Sequence, residues 1–346
     1  MSQAPERLNL WPYHQTNETG RVHLVGEHNS PDQLLIDLLG PVFREYRQAW
    51  RASEKFDFRP DWPMHLDVDT NYTCNLRCVM CPLGVSGFPV SYPQRFLDFD
   101  LYETVITEGA ANGLASIRLG ITGEPLLRSD ILDFVRLAKE KRIPDIMLIT
   151  NGMRLEPAMS RALIEAGLTR LMVSIDAATP ETYNRIRIGG DLNRVVRHVL
   201  DFLKLRREMN TRLPLLRVSF VKMSFNEAEI EEFEKFWADK ADYISFQEYA
   251  NLLERPDTAY FPTRRHQAVS FRCPDPWQRM SLYVNGDLFP CCSDFGRLAP
   301  VGNAYDTPVA EVWLGAGTEY FRQIHKNGHW RESSVCRRCA LSSTVF

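Results

Sequence analysis

Long apolar runs and a strong net charge are both missing from this sequence of 346 residues. No stretch approaches the roughly 20 consecutive apolar residues that a membrane-spanning helix needs, and the N-terminal segment is too polar for a signal peptide. The net charge of −3 gives no reason to expect a nucleic acid or a membrane surface as partner. We therefore expect a globular protein of the cytoplasm that binds neither.

Cysteine is missing from the whole middle of the chain, between Cys81 and Cys273. The eight cysteines of the chain form two groups, which are Cys74, Cys78 and Cys81, and then Cys273, Cys291, Cys292, Cys336 and Cys339. A reducing compartment does not maintain structural disulfides, so cysteines grouped at short spacing indicate metal or cluster sites. Two groups so far apart predict two sites.

The N-terminal segment carries the signals of a helix. Ser30, Pro31 and Gln33 have the spacing of a helix start, with a serine cap and a proline in the first turn. Apolar residues between Leu34 and Tyr46 then recur at helical spacing. We expect one helix here that covers one end of the body of the protein.

Strand and helix patterns alternate six times in the next part of the chain. The predicted strands are Met64–Val68, Ser116–Ile121, Ile146–Thr150, Leu171–Ile175, Leu216–Val221 and Tyr243–Phe246. The predicted helices are Asp98–Asn112, Ser129–Lys141, Glu156–Ala166, Leu192–Met209 and Asn226–Lys240, with a capping box at Asn226 and Glu229. This alternation predicts the α/β class and a partial (β/α)6 barrel of the TIM type.

The alternation of strands and helices ends after Glu254, and the sequence that follows predicts a smaller module. Prolines mark the linker, at Pro256, Pro262, Pro274 and Pro276. We expect three segments: an N-terminal helical preface (1–60), the partial barrel (61–253) and a small cysteine-rich, cluster-binding domain (254–346).

The first cysteine group has the spacing C-x3-C-x2-C and follows the first predicted strand. Loops at the C-terminal ends of parallel strands form the ligand site of such folds. Three thiolates ligate three irons of a [4Fe–4S] cluster and leave the fourth iron open. The alternatives are a structural zinc site or packed core cysteines, but zinc sites are closed by four ligands, and no fourth lies near in sequence.

Three further segments follow the second, third and fourth strands, and with the cysteines they resemble the radical S-adenosylmethionine superfamily. They are Thr122-Gly123-Glu124, Thr150-Asn151-Gly152 and Val173-Ser174-Ile175-Asp176. The resemblance implies that Glu124 and its neighbour Gly123 meet the amino group of the cofactor, with Thr122 where the family has glycine. It also implies that Asn151, Ser174 and Asp176 lie near the ribose and the carboxylate of S-adenosylmethionine.

The resemblance also implies a mechanism. The open iron chelates S-adenosylmethionine, one electron from the reduced cluster cleaves it, and the 5′-deoxyadenosyl radical abstracts a hydrogen atom from the substrate. The cofactor supplies this chemistry, while the protein positions the substrate. An external electron donor such as flavodoxin or ferredoxin is implied as a partner.

The second cysteine group contains four candidate cluster ligands, spaced C-x17-C-x44-C-x2-C when Cys291 rather than Cys292 is counted. A hairpin with an Asn285-Gly286 turn precedes Cys291, and Thr307-Pro308 begins a helix that carries Trp313. This region resembles the SPASM/twitch extension of the same superfamily and implies one auxiliary [4Fe–4S] cluster, held by Cys273, Cys291, Cys336 and Cys339. Structural zinc is the alternative.

One cysteine of this region keeps two interpretations, and two histidines are not expected to be ligands. Cys292 is either a buried small apolar residue or a thiol that donates hydrogen to a substrate radical. We expect His325 and His329 to be surface residues, because the thiolates suffice as ligands.

The expected reaction is a two-electron oxidation of a small polar substrate such as an amino sugar or cyclitol, as in one-cluster members of the family. Lys222 and Glu248, at the ends of later strands, are candidates to accept the proton. The alternatives are a peptide-modifying maturase or epimerase, and a non-catalytic iron–sulfur or zinc protein. The sequence does not specify the substrate or the oligomeric state.

Overall fold

The computed structural model describes residues 22–24, 31–84, 95–249, 260, 271–292, 294 and 299–339. The strands of this part are β1 (Val22–Leu24), β2 (His65–Val68), β3 (Arg77–Cys78), β4 (Ser116–Leu119), β5 (Asp145–Thr150), β6 (Arg170–Ser174), β7 (Arg187–Ile188), β8 (Leu215–Lys222), β9 (Tyr243–Glu248), β10 (Arg279–Leu282), β11 (Asp287–Phe289) and β12 (Gly302–Asn303). Its helices are α1 (Pro31–Leu39), α2 (Pro41–Ser53), α3 (Phe99–Ala111), α4 (Ile131–Glu140), α5 (Pro157–Ala166), α6 (Pro180–Ile186), α7 (Leu192–Glu208), α8 (Ile230–Trp237), α9 (Asp275–Gln278), α10 (Val309–Leu314), α11 (Ala316–Lys326) and α12 (Ser334–Arg338).

Six parallel strands form the body of the sheet in the order β2-β4-β5-β6-β8-β9. Helices α3, α4, α5, α7 and α8 lie between them in the chain. All four residues of β2 and of β4 are buried, as expected for parallel strands with both faces covered. The predicted α/β class and partial (β/α)6 barrel are confirmed.

The C-terminal module continues the same sheet. Strand β10 pairs in parallel with β2, so that Arg279 lies opposite His65, and β11 and β12 follow in antiparallel order. The predicted hairpin is present between β10 and β11, and Gly286 adopts a φ of 84° in its turn. Strand β2 therefore leads into the first cysteine loop at its C-terminal end and supports the second cysteine region along its edge.

The N-terminal segment forms two helices where the sequence predicted one. The break falls at Gly40, which has a φ of 79°, and at Pro41, which has no backbone N–H to continue the helix. The apolar faces of α1 and α2 pack against residues at the N-terminal ends of the strands, including Met64, Ala115 and Leu215. The expected covering of one end of the body is therefore present, at the end opposite the cysteine loop.

The predicted capping box at Asn226 and Glu229 is wrong. The Asn226 amide donates to the backbone carbonyl of Asp176, and the Glu229 carboxylate accepts from the backbone N–H groups of Ala178 and Thr179. Both side chains tie the loop after β6 to the loop after β8. The two side chains make these tertiary contacts instead of capping the helix, and local spacing does not encode such contacts.

Some predictions fall on other parts of the chain. Ser30, Pro256 and Pro262 lie outside the described residues, and so does the side chain of Glu248. Within the described residues, no helix is both long enough and apolar enough to cross a membrane. The three segment boundaries stay predictions.

Candidate cluster and cofactor sites

The first cysteine loop lies at the C-terminal end of β2 and is clamped by a small two-stranded sheet. Cys78 of β3 pairs with Arg187 of β7. The turn that carries Cys81 is tight, since the Cys81 N–H donates to the Cys78 carbonyl over 3.0 Å. A Cβ on Gly84 would lie 2.1 Å from the same carbonyl oxygen, so this position requires glycine. The three thiols are partly exposed.

Hydrogen-bond donors surround the sulfurs of this loop. The backbone N–H of Leu76 lies 3.4 Å from Sγ of Cys74, and the Asn151 amide lies 3.8 Å from the same sulfur. The Arg187 guanidinium lies 3.8 Å from Sγ of Cys78. Donors directed at sulfur stabilise a thiolate, which is the form that binds iron. The donor set therefore fits three thiolates that hold a cluster.

Burial opposes ionisation of these thiols while they are protonated. It raises the pKa of Cys78 to about 11 and that of Cys81 to about 12. It also raises the pKa of Cys74, although the Leu76 N–H opposes that shift. Binding of a cluster by this loop therefore releases protons.

The predicted cofactor residue Glu124 is buried and joins two of the sequence motifs. Its carboxylate accepts hydrogen bonds from the Thr150 hydroxyl at 2.7 Å, the Asn151 N–H at 2.7 Å and the Leu126 N–H at 3.1 Å. Burial raises the pKa of Glu124, although these donors act in the opposite direction. Asn151 also donates to the Asn75 side chain, which links the motifs to the cysteine loop.

Thr122 and Gly123 lie beside this carboxylate. The Thr122 N–H donates to Asp69 over 3.0 Å, while among the described residues its buried hydroxyl has no hydrogen-bond partner. A Cβ on Gly123 would lie 2.0 Å from the backbone oxygen of Asn71, so the loop fits no larger residue. A buried, unsatisfied hydroxyl next to Glu124 suits a polar ligand such as S-adenosylmethionine.

Ser174 and Asp176 follow at the end of β6. Ser174 is half-buried, whereas Asp176 is fully buried and adopts a φ of 67°. The Asp176 carboxylate accepts from the Arg187 guanidinium at 2.5 Å and from the Val221 N–H at 2.8 Å. Asp176 as a cofactor contact stays a prediction, since its oxygens serve the protein and hold Arg187 toward Cys78.

Sequence reasoning missed Arg187. Burial disfavours its charge, but Asp176 and Cys78 keep the pKa of Arg187 above its ordinary value. No local signal distinguishes it, because its partners lie 11 and 109 residues away. Only the pairing of β7 with β3 reveals it.

Four of the five cysteines of the second group line one cavity. Its walls contain Phe271, Cys273, Asp275, Pro276, Pro290, Cys291, Phe321, His325, Val335, Cys336 and Cys339. Burial, followed by the charges of Asp275, Cys339 and Cys291, raises the pKa of Cys273 well above its usual value, as expected for thiols held close together. Four convergent thiols fit an auxiliary cluster. In the part of the chain that the structure describes, no three His, Cys, Asp or Glu side chains are grouped to hold a single metal ion.

Cys291 and Cys292 point to different surroundings. Cys291 lines the cavity, while Cys292 is absent from its walls and is 1% exposed. Burial raises the pKa of Cys292, and the nearby charge of Arg118 opposes that shift. This difference supports Cys291 as the ligand.

The expectation that His325 is a surface residue is wrong. His325 is 2% exposed and lines the auxiliary cavity, because α11 packs its apolar face against Phe271 and Trp330. Burial lowers the pKa of His325 to about 4. His329, which follows the end of α11, is 62% exposed, as expected.

Lys222 and Glu248 are register partners at the C-terminal ends of β8 and β9. Both backbones therefore lie at the edge of the sheet from which the cysteine loop leaves. Lys222 is half-buried. Their part in proton transfer stays a prediction.

Two families of known proteins match the chain. Residues 69–219 match the radical SAM superfamily, and residues 273–340 match SPASM, an iron–sulfur cluster-binding domain. Together the two matches cover more than half of the chain.

Curated relatives match a little more than half of the chain. GTP 3′,8-cyclase of Limosilactobacillus fermentum is 35% identical over 185 residues, which are 52% of this chain and 53% of the relative. A probable GTP 3′,8-cyclase of Methanocaldococcus jannaschii is 30% identical over 196 residues, 57% of this chain and 62% of the relative. The chain thus matches little more than half the length of these relatives.

Solved structures share the fold. SuiB of Streptococcus suis bound to S-adenosylmethionine has a TM-score of 0.63 at 16% identity and covers 86% of this chain and 76% of its own. BtrN in complex with AdoMet and 2-DOIA has a TM-score of 0.52 at 20% identity, with 80% and 92% covered.

Each of the two matched families binds a known cofactor. A radical SAM domain binds a [4Fe–4S] cluster and S-adenosylmethionine, and a SPASM domain binds auxiliary iron–sulfur clusters. These matches favour iron–sulfur clusters over structural zinc at both cysteine sites. The chain therefore contains a radical SAM domain over residues 69–219 and a SPASM domain over residues 273–340.

Proposed function

We propose that this radical SAM protein oxidises a small polar substrate by two electrons. The observation that carries the proposal is the auxiliary cavity, where four cysteine side chains converge. A cluster held by four thiolates has no iron free to bind S-adenosylmethionine. We therefore assign it to electron transfer. A dehydrogenation needs such an acceptor, because abstraction of a hydrogen atom removes only one of the two electrons.

The chain's own residues hold and orient the groups that react. Cys74, Cys78 and Cys81 would hold the cluster that, with S-adenosylmethionine, supplies a hydrogen-abstracting radical. Cys273, Cys291, Cys336 and Cys339 would hold the cluster that could accept the second electron of the substrate. Glu124, whose carboxylate is fixed by three donors, would hold the amino group of S-adenosylmethionine. Arg187 holds a positive charge beside Cys78. Flavodoxin or ferredoxin is the proposed electron donor.

The interior of the barrel supports a polar substrate. Asp67 is buried there and forms ion pairs with two buried arginines, Arg118 and Arg279. Lys222 and Glu248, at the C-terminal strand ends, are the proposed acceptors of the substrate proton. An amino sugar or a cyclitol has carbons that bear both a hydroxyl group and a hydrogen atom, as this oxidation requires.

A second candidate is cyclisation of a nucleotide. The identity of 30–35% to GTP 3′,8-cyclases over a little more than half of the chain favours it. On this alternative the hydrogen abstraction is the same, but the substrate radical closes a ring, and the cyclised radical would then take up one electron from the reduced auxiliary cluster and one proton.

Cys292 distinguishes oxidation from a peptide epimerisation that needs a hydrogen donor. In an oxidation, Cys292→Ala leaves substrate turnover intact, because no thiol hydrogen is consumed. If the variant still cleaves S-adenosylmethionine but accumulates a substrate radical, the oxidation is wrong.

The deciding experiment is anaerobic turnover of the reconstituted protein with dithionite, S-adenosylmethionine and deuterated substrates. Candidate amino sugars and cyclitols are expected to transfer deuterium into 5′-deoxyadenosine and to give a product two hydrogens lighter. Deuterium transfer from GTP, with a cyclised product, would favour the second candidate. Absence of 5′-deoxyadenosine under all conditions would favour a non-catalytic iron–sulfur protein.

A further inference from the structure

His325 is a buried imidazole that contacts two of the proposed auxiliary ligands. It lies near the end of α11 (Ala316–Lys326) and is 2% exposed. Its Nδ1 lies 3.2 Å from the backbone nitrogen of Cys273, and its Nε2 lies 3.3 Å from Sγ of Cys336. The Phe271 ring meets the imidazole edge-on, with centroids 5.6 Å apart. The ring is therefore held from three sides.

The contact with Cys273 determines which nitrogen of the ring carries the proton. A backbone N–H can only donate, so Nδ1 must accept and cannot carry hydrogen. The neutral imidazole then has its proton on Nε2, which faces the sulfur of Cys336. A cluster-bound thiolate can only accept, and the geometry therefore gives an N–H···S hydrogen bond.

We propose that His325 is a positioning residue that raises the reduction potential of the auxiliary cluster through the hydrogen bond from Nε2 to the sulfur of Cys336. Hydrogen bonds to cluster sulfurs draw electron density from the sulfur and stabilise the reduced, more negative form of the cluster. The inference rests on the proposed function in one respect: a higher potential favours uptake of the substrate electron. His325 contacts no substrate and forms no bond to iron.

The test measures the potential of the auxiliary cluster alone. The full-length chain with Cys74, Cys78 and Cys81 changed to alanine assembles only this cluster, and its midpoint potential is measured by redox titration followed by electron paramagnetic resonance. His325→Leu is expected to shift the potential to a more negative value at unchanged iron content. His325→Gln, which keeps an N–H donor, is expected to shift it less. The matched control His329→Leu removes an exposed histidine that follows the same helix and is expected to leave the potential unchanged.

A second measurement requires no variant at position 325. Protein labelled with ¹⁵N in its histidines is expected to show one weak nitrogen coupling to the reduced cluster, transmitted through the hydrogen bond. Absence of any coupling, or a strong coupling of the size that direct ligation gives, would overturn the proposal. An unchanged potential in His325→Leu with full iron content would overturn it as well.

These outcomes are separate from those of the proposed function. The potential is measured without substrate or S-adenosylmethionine, so it does not depend on which reaction the protein catalyses. If turnover proves to be a cyclisation, the role of His325 toward the cluster still depends only on the potential shift and the nitrogen coupling.

Discussion

The guanidinium of Arg187 lies 3.8 Å from the sulfur of Cys78, and the two residues are also partners across β7 and β3. The other side of the guanidinium is held by the buried carboxylate of Asp176. A buried aspartate thus fixes an arginine against a proposed cluster ligand, in a site where sequence reasoning assigned the aspartate to the cofactor.

Replacement of Arg187 by methionine is expected to weaken the first cluster. The change removes a charged donor from the sulfur of Cys78 and leaves Asp176 without its cation. Loss of such an outer partner typically lowers metal affinity or activity by roughly 10–100-fold. Iron content and cleavage of S-adenosylmethionine measure the effect, and Arg185→Met, which removes an exposed arginine stacked on Phe225, is the control. Equal iron retention and cleavage in both variants would contradict the assignment.

Replacement of Glu124 by glutamine is expected to weaken binding of S-adenosylmethionine to the reconstituted protein. The variant keeps the shape of the side chain but loses the negative charge that, on our proposal, binds the cofactor's ammonium group. A hydrogen bond to a charged group contributes about 1.5–3 kcal/mol, so the affinity should fall by roughly 10–100-fold. Equilibrium binding gives the readout.

The control for Glu124 is a carboxylate with similar partners elsewhere. Glu108 accepts from the Trp62 indole and from the backbone N–H groups of Val309 and Ala310, on the outer helix α3. Glu108→Gln is expected to lower stability without changing the affinity for S-adenosylmethionine. Equal affinity in both variants would remove Glu124 from the cofactor site.

Separate serine substitutions of Cys291 and Cys292 are expected to differ in their effect on iron content. In protein that lacks the first three cysteines, Cys291→Ser should lose most of the remaining iron, since Cys291 lines the auxiliary cavity. Cys292→Ser should keep it, since Cys292 contacts Arg118 instead. Iron and sulfide analysis with absorption spectra checks both, and the reverse pattern would exchange the two roles.

Asp67→Asn is expected to destabilise the fold most strongly near neutral pH. Asp67 is fully buried and pairs with Arg118 at 2.6 Å and with His65 at 2.9 Å. Breaking a buried ion pair costs roughly 3–5 kcal/mol. Burial alone would raise the pKa of Asp67, but the charges of Arg118, His65 and Arg279 hold it well below its usual range.

The pH dependence of Asp67 follows from that depressed pKa. The stability it provides is present above the pKa of an unfolded aspartate, about 3.9, and is lost as the pH falls toward the folded pKa. Urea unfolding should therefore show a gap between native protein and variant that narrows below about pH 4. Asp133→Asn removes an exposed ion pair with Arg136 and should change the free energy of unfolding by at most about 0.5 kcal/mol. If the difference in unfolding free energy between native protein and Asp67→Asn stayed constant with pH, it would contradict the lowered pKa of Asp67.

Much of the fold was predictable because each βα unit carries its own local signals. The six parallel strands and the Asn285-Gly286 turn both depend on residues close in sequence. The predictions that were wrong fail because contacts between distant parts of the chain override local signals. Asn226 and Glu229 have the spacing of a cap, yet their side chains are engaged by loops about 50 residues away.

The amino-acid sequence by itself determined the parallel barrel and the two cysteine groups, because strand periodicity and ligand spacing are local properties of the chain. Tertiary structure alone decided which groups surround the sulfurs. Arg187 reaches Cys78 across 109 residues, and His325 reaches Cys273 across 52. A hydrogen bond between segments so distant in sequence depends on how the sheet and α11 pack, and no spacing rule records that packing.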